Sequence, residues 1–358
     1  MSSDELVDIL GLPKQNLISL CASLGAKTFR AKQIWSWLYR YGVDSFDSMT
    51  DLSKDFRLLC NSKFTINRPK IKLVKESVDG TVKWLLEFAD GNEVETVFIP
   101  DGERKTICVS SQVGCVLTCT FCHTGTQKLV RNLTQDEIVK QVMVVYDHFD
   151  FWNMPSDQRK AYNIVYMGMG EPLYNYDNIV AATRVLMDDE GLAISRRKIT
   201  LSTSGVVPKI LECAKDLKVN LALSLHAVTD ELRDQIVPLN KKYPLSEVLK
   251  ACSVYQELSN SRRITFEYVM LKGINDSLAD AKKLIGLLKN ISCIVNLIPF
   301  NPWKGTIYEC SEENHIKAFS HLLTQAGIYA PIRYSRGQDI YAACGQLKSC
   351  SIRKGKVS

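Results

Sequence analysis

From residue 105 onward, short apolar runs alternate with longer stretches in which apolar residues recur every three or four positions. The runs are "TICVSS" (106–111), "YNIVYMG" (162–168), "KITLST" (198–203), "VNLALSLH" (219–226), "ITFEYVML" (264–271) and "CIVNLIPF" (293–300), with a last one, "YAPIRY", at 329–334. Unbroken apolar runs of this length, bounded by turn residues, read as strands buried on both faces. The stretches between them, such as "TQDEIVKQVMVVYDHF" and "SLADAKKLIGLLK", have helical spacing. Strand–helix alternation predicts a parallel sheet with right-handed crossovers. About six such units are too few for a closed eight-fold barrel. The expected core is therefore α/β, either a partial (β/α)6 barrel or an open sheet.

The first hundred residues follow other periods. "LPKQNLISLCASLG" and "FRAKQIWSWLYRYG" are helical and stop at Gly25 and Gly42. They predict a small helical domain over 1–68. "KIKLVKESVDGTVKWLLEFADGNEVETVFIP" alternates with period two and carries Asp-Gly at 79–80 and 90–91. Asp-Gly pairs between alternating runs are hairpin turns, so a three-strand meander is expected over 69–100. The barrel core then spans 101–337, and 338–358 forms a terminal segment. In the second helix Arg30, Lys32 and Arg40 alternate with Trp35, Trp37, Tyr39 and Tyr41. Most of these rings are expected in the core of the helical unit. Some of the basic residues are expected to face RNA, whose splayed bases suit basic and aromatic surfaces.

Composition narrows the class. A hydrophobic fraction of 46% and a charged fraction of 23% are those of a globular protein. No basic start with an apolar run opens the chain, and no apolar run is long enough to span a bilayer. A cytoplasmic chain with no membrane association is expected, and its twelve cysteines are then not a disulfide framework. Net charge is +6. Arg333, Arg336, Lys348, Arg353, Lys354 and Lys356 face only Asp339 between Pro331 and the end of the chain. That is either a solvated tail or a phosphate-binding one.

Unusual polar residues stand where the predicted strands end: Ser110-Ser111-Gln112, Gly168 to Pro172, Ser202 to Gly205, Ser224-Leu225-His226, and Asn301. In barrels the C-terminal strand ends form the active face, so an enzyme is expected rather than a scaffold. Just past the first strand, Cys115, Cys119 and Cys122 are spaced C-x3-C-x2-C, with Cys108 seven residues upstream. With His123 adjacent, the triplet can be a Cys3His zinc site, as in a zinc-stabilised RNA-binding protein without catalysis. It can equally be an iron–sulfur site with one iron left open. The residues by themselves leave both readings standing.

C-x3-C-x2-C after the first strand and Gly-Glu-Pro after the second resemble the radical S-adenosylmethionine (SAM) superfamily. The strings "CVSSQVGC", "RNLT", "MGMGEPL", "LSTSGVVP", "SLHA", "IVPLNKKYP", "NLIPFNP" and "AACGQL" together resemble the RlmN adenosine C2-methyltransferases over nearly the whole chain. The related Cfr enzymes, which methylate adenine C8, share the superfamily motifs and are the runner-up.

The resemblance implies a [4Fe–4S] cluster on Cys115, Cys119 and Cys122. It implies SAM beside Gly170, Glu171, Ser202, Ser224, Leu225, His226 and Asn301. Carbon 2 of adenine is electron-poor, so simple displacement by SAM's electrophilic methyl should fail there. In the family a cysteine is first methylated by one SAM, and a second SAM supplies the radical that activates this methyl. The methyl carbon adds to adenine, and a second cysteine releases the product as a disulfide forms. Cys344 matches the methyl carrier, although a lone cysteine between alanines and Gly345 reads otherwise as a small core residue. Cys108 matches the resolving cysteine. Glu95 matches the base that takes the C2 proton; the strand pattern alone does not separate it from Glu93. The implied partners are 23S rRNA, tRNA with the adenosine 3′ of the anticodon as target, and a flavodoxin- or ferredoxin-type electron donor, with the chain itself a monomer.

Overall fold

The computed structural model describes residues 6–155, 162–259 and 263–351. Helices α1 (Lys14–Ser23), α2 (Thr28–Arg40) and α3 (Lys54–Asn61) form the N-terminal unit. Two short strands the sequence pattern does not reveal, Val7–Asp8 and Phe64–Thr65, pair in parallel and tie its ends together. Ile34, Trp35, Leu38 and Tyr39 of α2 are buried. Tyr41 is exposed, and the Trp37 indole N–H donates to Asp51 Oδ1 at 2.6 Å.

The basic residues of α2 hold protein groups. Arg30 donates to the Gln33 side chain and the Asp51 carbonyl. Lys32 lies 3.5 Å from Glu190, and Arg40 donates to the Asp189 carbonyl. Lys14 and the Trp35 indole both bind Asp188 at 3.0 Å. The turn at 188–190 is therefore where α1 and α2 dock on the barrel.

Among the described residues, nine strands form one sheet. They are β1 (Lys70–Glu76), β2 (Val82–Glu87), β3 (Glu93–Asp101), β4 (Arg104–Cys108), β5 (Asn163–Tyr166), β6 (Ile199–Thr203), β7 (Asn220–Ser224), β8 (Ile264–Met270) and β9 (Cys293–Pro299). They lie side by side in chain order. β4 to β9 are parallel, and β1 to β4 are antiparallel. The fold is thus a six-stranded partial barrel whose sheet runs on into the predicted meander. β1 closes the free edge and is exposed along its length. Its Lys70, Lys72 and Lys75 are a common protection against edge pairing. The run at 329–334 does not become a full strand. It makes only the bridges Ile294↔Tyr329 and Leu297↔Ile332, and Pro331 has no N–H to continue a ladder.

The crossover helices cover the outside of the barrel: α4 (Gln135–His148), α5 (Tyr176–Met187), α6 (Val207–Asp216), α7 (Asp230–Ile236), α8 (Leu245–Ser259), α9 (Leu278–Leu288) and α10 (Glu313–Gln325). A capping box of Thr134 and Glu137 fixes the start of α4, and the pair Ser277 and Asp280 does the same for α9. No helix among the described residues is long and apolar enough to cross a membrane.

The N-terminal unit also meets α4 at Gly11. A Cβ there would lie 2.3 Å from Asp136 Cα, so only glycine allows the approach. Its N–H donates to the buried Tyr39 hydroxyl at 2.8 Å. Tyr39→Phe leaves that N–H without an acceptor, at a cost of about 1–2 kcal/mol. Urea unfolding should show the lower stability.

Candidate active site at the barrel mouth

Past β4 the chain is pinned before it reaches the cysteines. Ser110 N–H donates to Gln141 Oε1 at 2.7 Å, and its hydroxyl donates to the Glu95 carbonyl at 2.6 Å. Gln112–Val113 then pairs antiparallel with Arg131–Asn132. That short ladder closes the neck of a loop at 114–130. Cys115 N–H donates to the Gln127 carbonyl, and Cys122 N–H to that of Cys119. A Cβ on Gly114 would lie 2.4 Å from the Lys128 carbonyl oxygen, which explains the glycine at the neck.

Cys115, Cys119 and Cys122 all line one cavity of about 170 Å³. Burial pushes each thiol up, Cys115 to about 12 and Cys119 well above its ordinary value, and neighbouring cysteines add to the shift in both. Three such thiols form a soft donor set that becomes thiolate only with a bound cation. His123 does not join them. Its ring stacks on Trp303 at 4.8 Å between centroids, with Nδ1 3.3 Å from the Gln346 carbonyl oxygen, and it does not line the cavity. The Cys3His zinc site thereby loses its fourth ligand.

Gly170 and Glu171 form the next part of the wall. Gly170 has φ +100°, and a Cβ there would lie 2.5 Å from Gln112 Cβ. The segment therefore passes directly against the β4 loop. Glu171 accepts N–H groups from Leu173 at 3.0 Å and Ser204 at 2.8 Å. Burial still raises its carboxyl to about 7. Ser202, Ser224, His226 and Asn301 line the same cavity. Leu225 does not. Its side chain is buried, its N–H donates to the Glu267 carbonyl, and its own carbonyl accepts from Arg233 Nε.

His226 sits at φ +60°. Its Nδ1 accepts the Val269 N–H at 3.1 Å, so the ring is neutral and carries its proton on Nε2. Phe121 meets the ring edge-on at 4.8 Å. Burial first, then the Arg233 charge, depresses its pKa to about 3.

Sequence reasoning missed Arg233. This fully buried guanidinium donates to the carbonyls of Leu225, Ser204 and Ser224 and to Asn240 Oδ1. It joins the ends of β6 and β7, so two walls of the cavity share one cation. A single arginine on a polar helix offers no sequence signal for this. Thr203 and Ser204, from the strand end expected on the active face, line the cavity as well, and Glu267 lines it unforeseen.

The segment from Gly337 crosses the mouth and carries Cys344 into the cavity wall. Cys344 retains accessible surface, and because it lines the cavity that exposure is toward the cleft. Burial nevertheless pushes its thiol up to about 11. Cys108, buried at the end of β4, is close enough that the Cys344 thiolate adds to its upward shift, after burial. Asn301 Nδ2 donates to the Cys344 carbonyl at 3.3 Å.

Glu95 lies behind this segment and does not line the cavity. Oε1 pairs with Lys83 at 2.8 Å, and Oε2 accepts the Lys348 N–H at 2.9 Å. Burial raises its pKa against both partners. Glu93 is engaged further out, with Lys72 at 2.6 Å. Of the basic terminal residues, Arg336 pairs with Asp101 and Lys348 donates to Thr126, while Arg353, Lys354 and Lys356 lie outside the described residues.

A parallel partial barrel with a three-cysteine loop after its first strand and a Gly-Glu-Pro wall after its second defines the radical SAM class. Residues 109–285 match the model of the radical SAM superfamily. Residues 7–66 match that of the ribosomal RNA large subunit methyltransferase N-terminal domain. A dual-specificity RNA methyltransferase RlmN from Rhodospirillum rubrum is 55% identical over 97% of this chain and 82% of its own. The protein of that name from Gluconobacter oxydans is 53% identical over 97% and 86%. A radical SAM methyltransferase from Sphaerobacter thermophilus has a crystal structure that superposes with a TM-score of 0.89. That protein is 40% identical, over 95% of this chain and 99% of its own. The chain belongs to the RlmN family. Its class implies SAM and a [4Fe–4S] cluster, and the three half-buried thiols that line one cavity fit as cluster donors.

His226 binds no proton in the folded state until pH approaches 3, whereas the unfolded chain takes one up near 6.5. Its contribution to stability is complete above pH 6.5 and is lost as pH falls toward 3. Denaturant unfolding across this window should show that loss. The slope should be shallower in His226→Asn, a residue that tolerates the left-handed backbone at this position.

Proposed function

We propose that this protein methylates carbon 2 of adenosine in 23S rRNA, and in tRNA at the adenosine 3′ of the anticodon. The observation that carries the reading is the shared cavity: Cys344 lies in its wall beside the three-thiol loop, with Cys108 near enough to interact with it. The relatives' name, dual-specificity RNA methyltransferase, supports RNA of two classes as the substrate.

Cys115, Cys119 and Cys122 hold the cluster, which when bound supplies the electron that turns SAM into a radical source. Gly170, held against the β4 loop, and Glu171 form the part of the wall that receives SAM's methionine end. Ser202, Ser224 and Asn301 offer polar groups along the wall, and neutral His226 offers its Nε2–H. Leu225 contributes through its backbone, which sets the turn between Ser224 and His226.

Cys344 carries the methyl group. It reaches the substrate without crossing protein because its exposed surface faces the cleft. Once the adduct has given up one electron and its C2 proton, the Cys108 thiolate attacks the Cys344 sulfur. The sulfur–sulfur bond forms as the sulfur–carbon bond to the base breaks, and the freed carbon takes up a proton to become the methyl group. Reduction of that disulfide and delivery of the electron require a flavodoxin- or ferredoxin-type donor or a thiol. Glu95 accepts the C2 proton. Lys83 and the Lys348 N–H hold both of its oxygens, so the terminal segment must shift before Glu95 meets the substrate. The chain acts as a monomer in this scheme.

Cys344→Ala should abolish methylation while iron content stays at the wild-type level. Turnover by this variant would remove the assignment. Cys108→Ala should accumulate protein covalently linked to RNA, visible as a nuclease-sensitive band shift in a denaturing gel. Mass spectrometry of the nucleoside product decides between 2-methyladenosine and the 8-methyl isomer.

A further inference from the structure

The opposite end of the barrel carries a second, larger cavity of about 1100 Å³. Six of its lining residues are cationic: Arg104, Arg196, Arg197, Lys218, Arg263 and Arg333. None is acidic. They come from five separate places in the chain. Arg104 opens β4, and the arginine pair precedes β6. Lys218 and Arg263 precede β7 and β8, and Arg333 lies beside β9, its N–H donating to the Leu297 carbonyl. Long-range folding has therefore assembled the charge, which is not a basic run along one segment.

Among the described residues, Arg104, Arg196, Arg197, Lys218 and Arg333 form no ion pair. Arg104 is destabilised as a cation by burial and then by Arg333, and Asp101 and Glu267 offset this only in part. Glu267, which lines the mouth cavity and accepts from Asn296 Nδ2 at 3.0 Å, interacts electrostatically with Arg104 and Arg333 without forming an ion pair with either. Like charges around a common hollow repel one another, and the barrel's architecture does not require them there. A concave site of one sign concentrates counter-ions, and guanidinium groups match phosphate oxygens in pairs.

We infer that this floor cavity binds a phosphate-rich ligand, either the polyphosphate of a free nucleotide or the phosphodiester backbone of RNA. Thr200, Thr265 and Asn220 supply neutral polar groups in the same lining. The site lies at the strand ends away from the mouth, and it does not depend on the reaction assigned there.

The test uses the full chain, with inorganic tripolyphosphate followed by calorimetry and a labelled single-stranded RNA followed by anisotropy. Two variants remove charge, Arg196→Gln with Arg197→Gln on the exposed turn, and Arg104→Gln with Arg333→Gln in the hollow. Tripolyphosphate should bind each variant about 10-fold or more weakly, the scale of losing charge-assisted hydrogen bonds. Binding should also depend less steeply on salt. If RNA is the source, RNA affinity falls in the same variants and RNA displaces tripolyphosphate. If a free nucleotide is the source, ATP displaces tripolyphosphate and RNA affinity is unchanged. Absence of tripolyphosphate binding to the wild type, or equal binding by the exposed-turn variant, overturns the inference. That turn variant decides the matter even where the other pair fails to fold.

Discussion

The site depends on a clasp between two pieces of chain that contain almost no regular structure. His123 N–H donates to the Gly345 carbonyl at 2.7 Å, and the Thr124 hydroxyl to that of Leu347 at 2.5 Å. Gln127 binds Ser349 through both ends of its amide. On the other side, Gln338 and Cys344 hold Asn301, and Gln346 holds the Pro302 carbonyl. These bonds do for the terminal segment what a ladder does for a strand. They satisfy buried backbone groups and fix the segment in one position. Without them Cys344 would have no fixed relation to the cysteine loop, more than two hundred residues upstream.

The electrostatics of the two barrel ends differ for a physical reason. At the mouth, ionisable groups are buried with neutral partners. Glu171 is held by backbone N–H groups and Arg233 by carbonyls and an amide. Such partners hold a charge without cancelling it, so the cavity can respond to a charged ligand. At the other end Arg196 and Arg197 stand on an exposed turn, open to water. Their cost is smaller there, and they are accessible to anions.

Much of the architecture was legible because buried parallel strands leave an unmistakable pattern. All six barrel strands and the meander turns lie where the apolar runs and Asp-Gly pairs put them. The exceptions have local causes. Pro331 denies the seventh run its ladder, and the two-residue strands at Val7 and Phe64 are too short to show a period. The cysteine triplet was equally legible, but its chemistry was not. Spacing left zinc and iron–sulfur both open, and His123 counted as a possible ligand until its ring was found on Trp303.

The sequence by itself determined the parallel α/β core, the places of its strands along the chain and the family, since periodicity and long motifs are local properties of the chain. The tertiary structure alone decided which residues meet. It put Arg233 between two strand ends, set Glu95 behind the terminal segment and gathered the cations beneath the barrel. Those are contacts between residues far apart in the chain, made when the strands align side by side. No period or spacing along one segment encodes them.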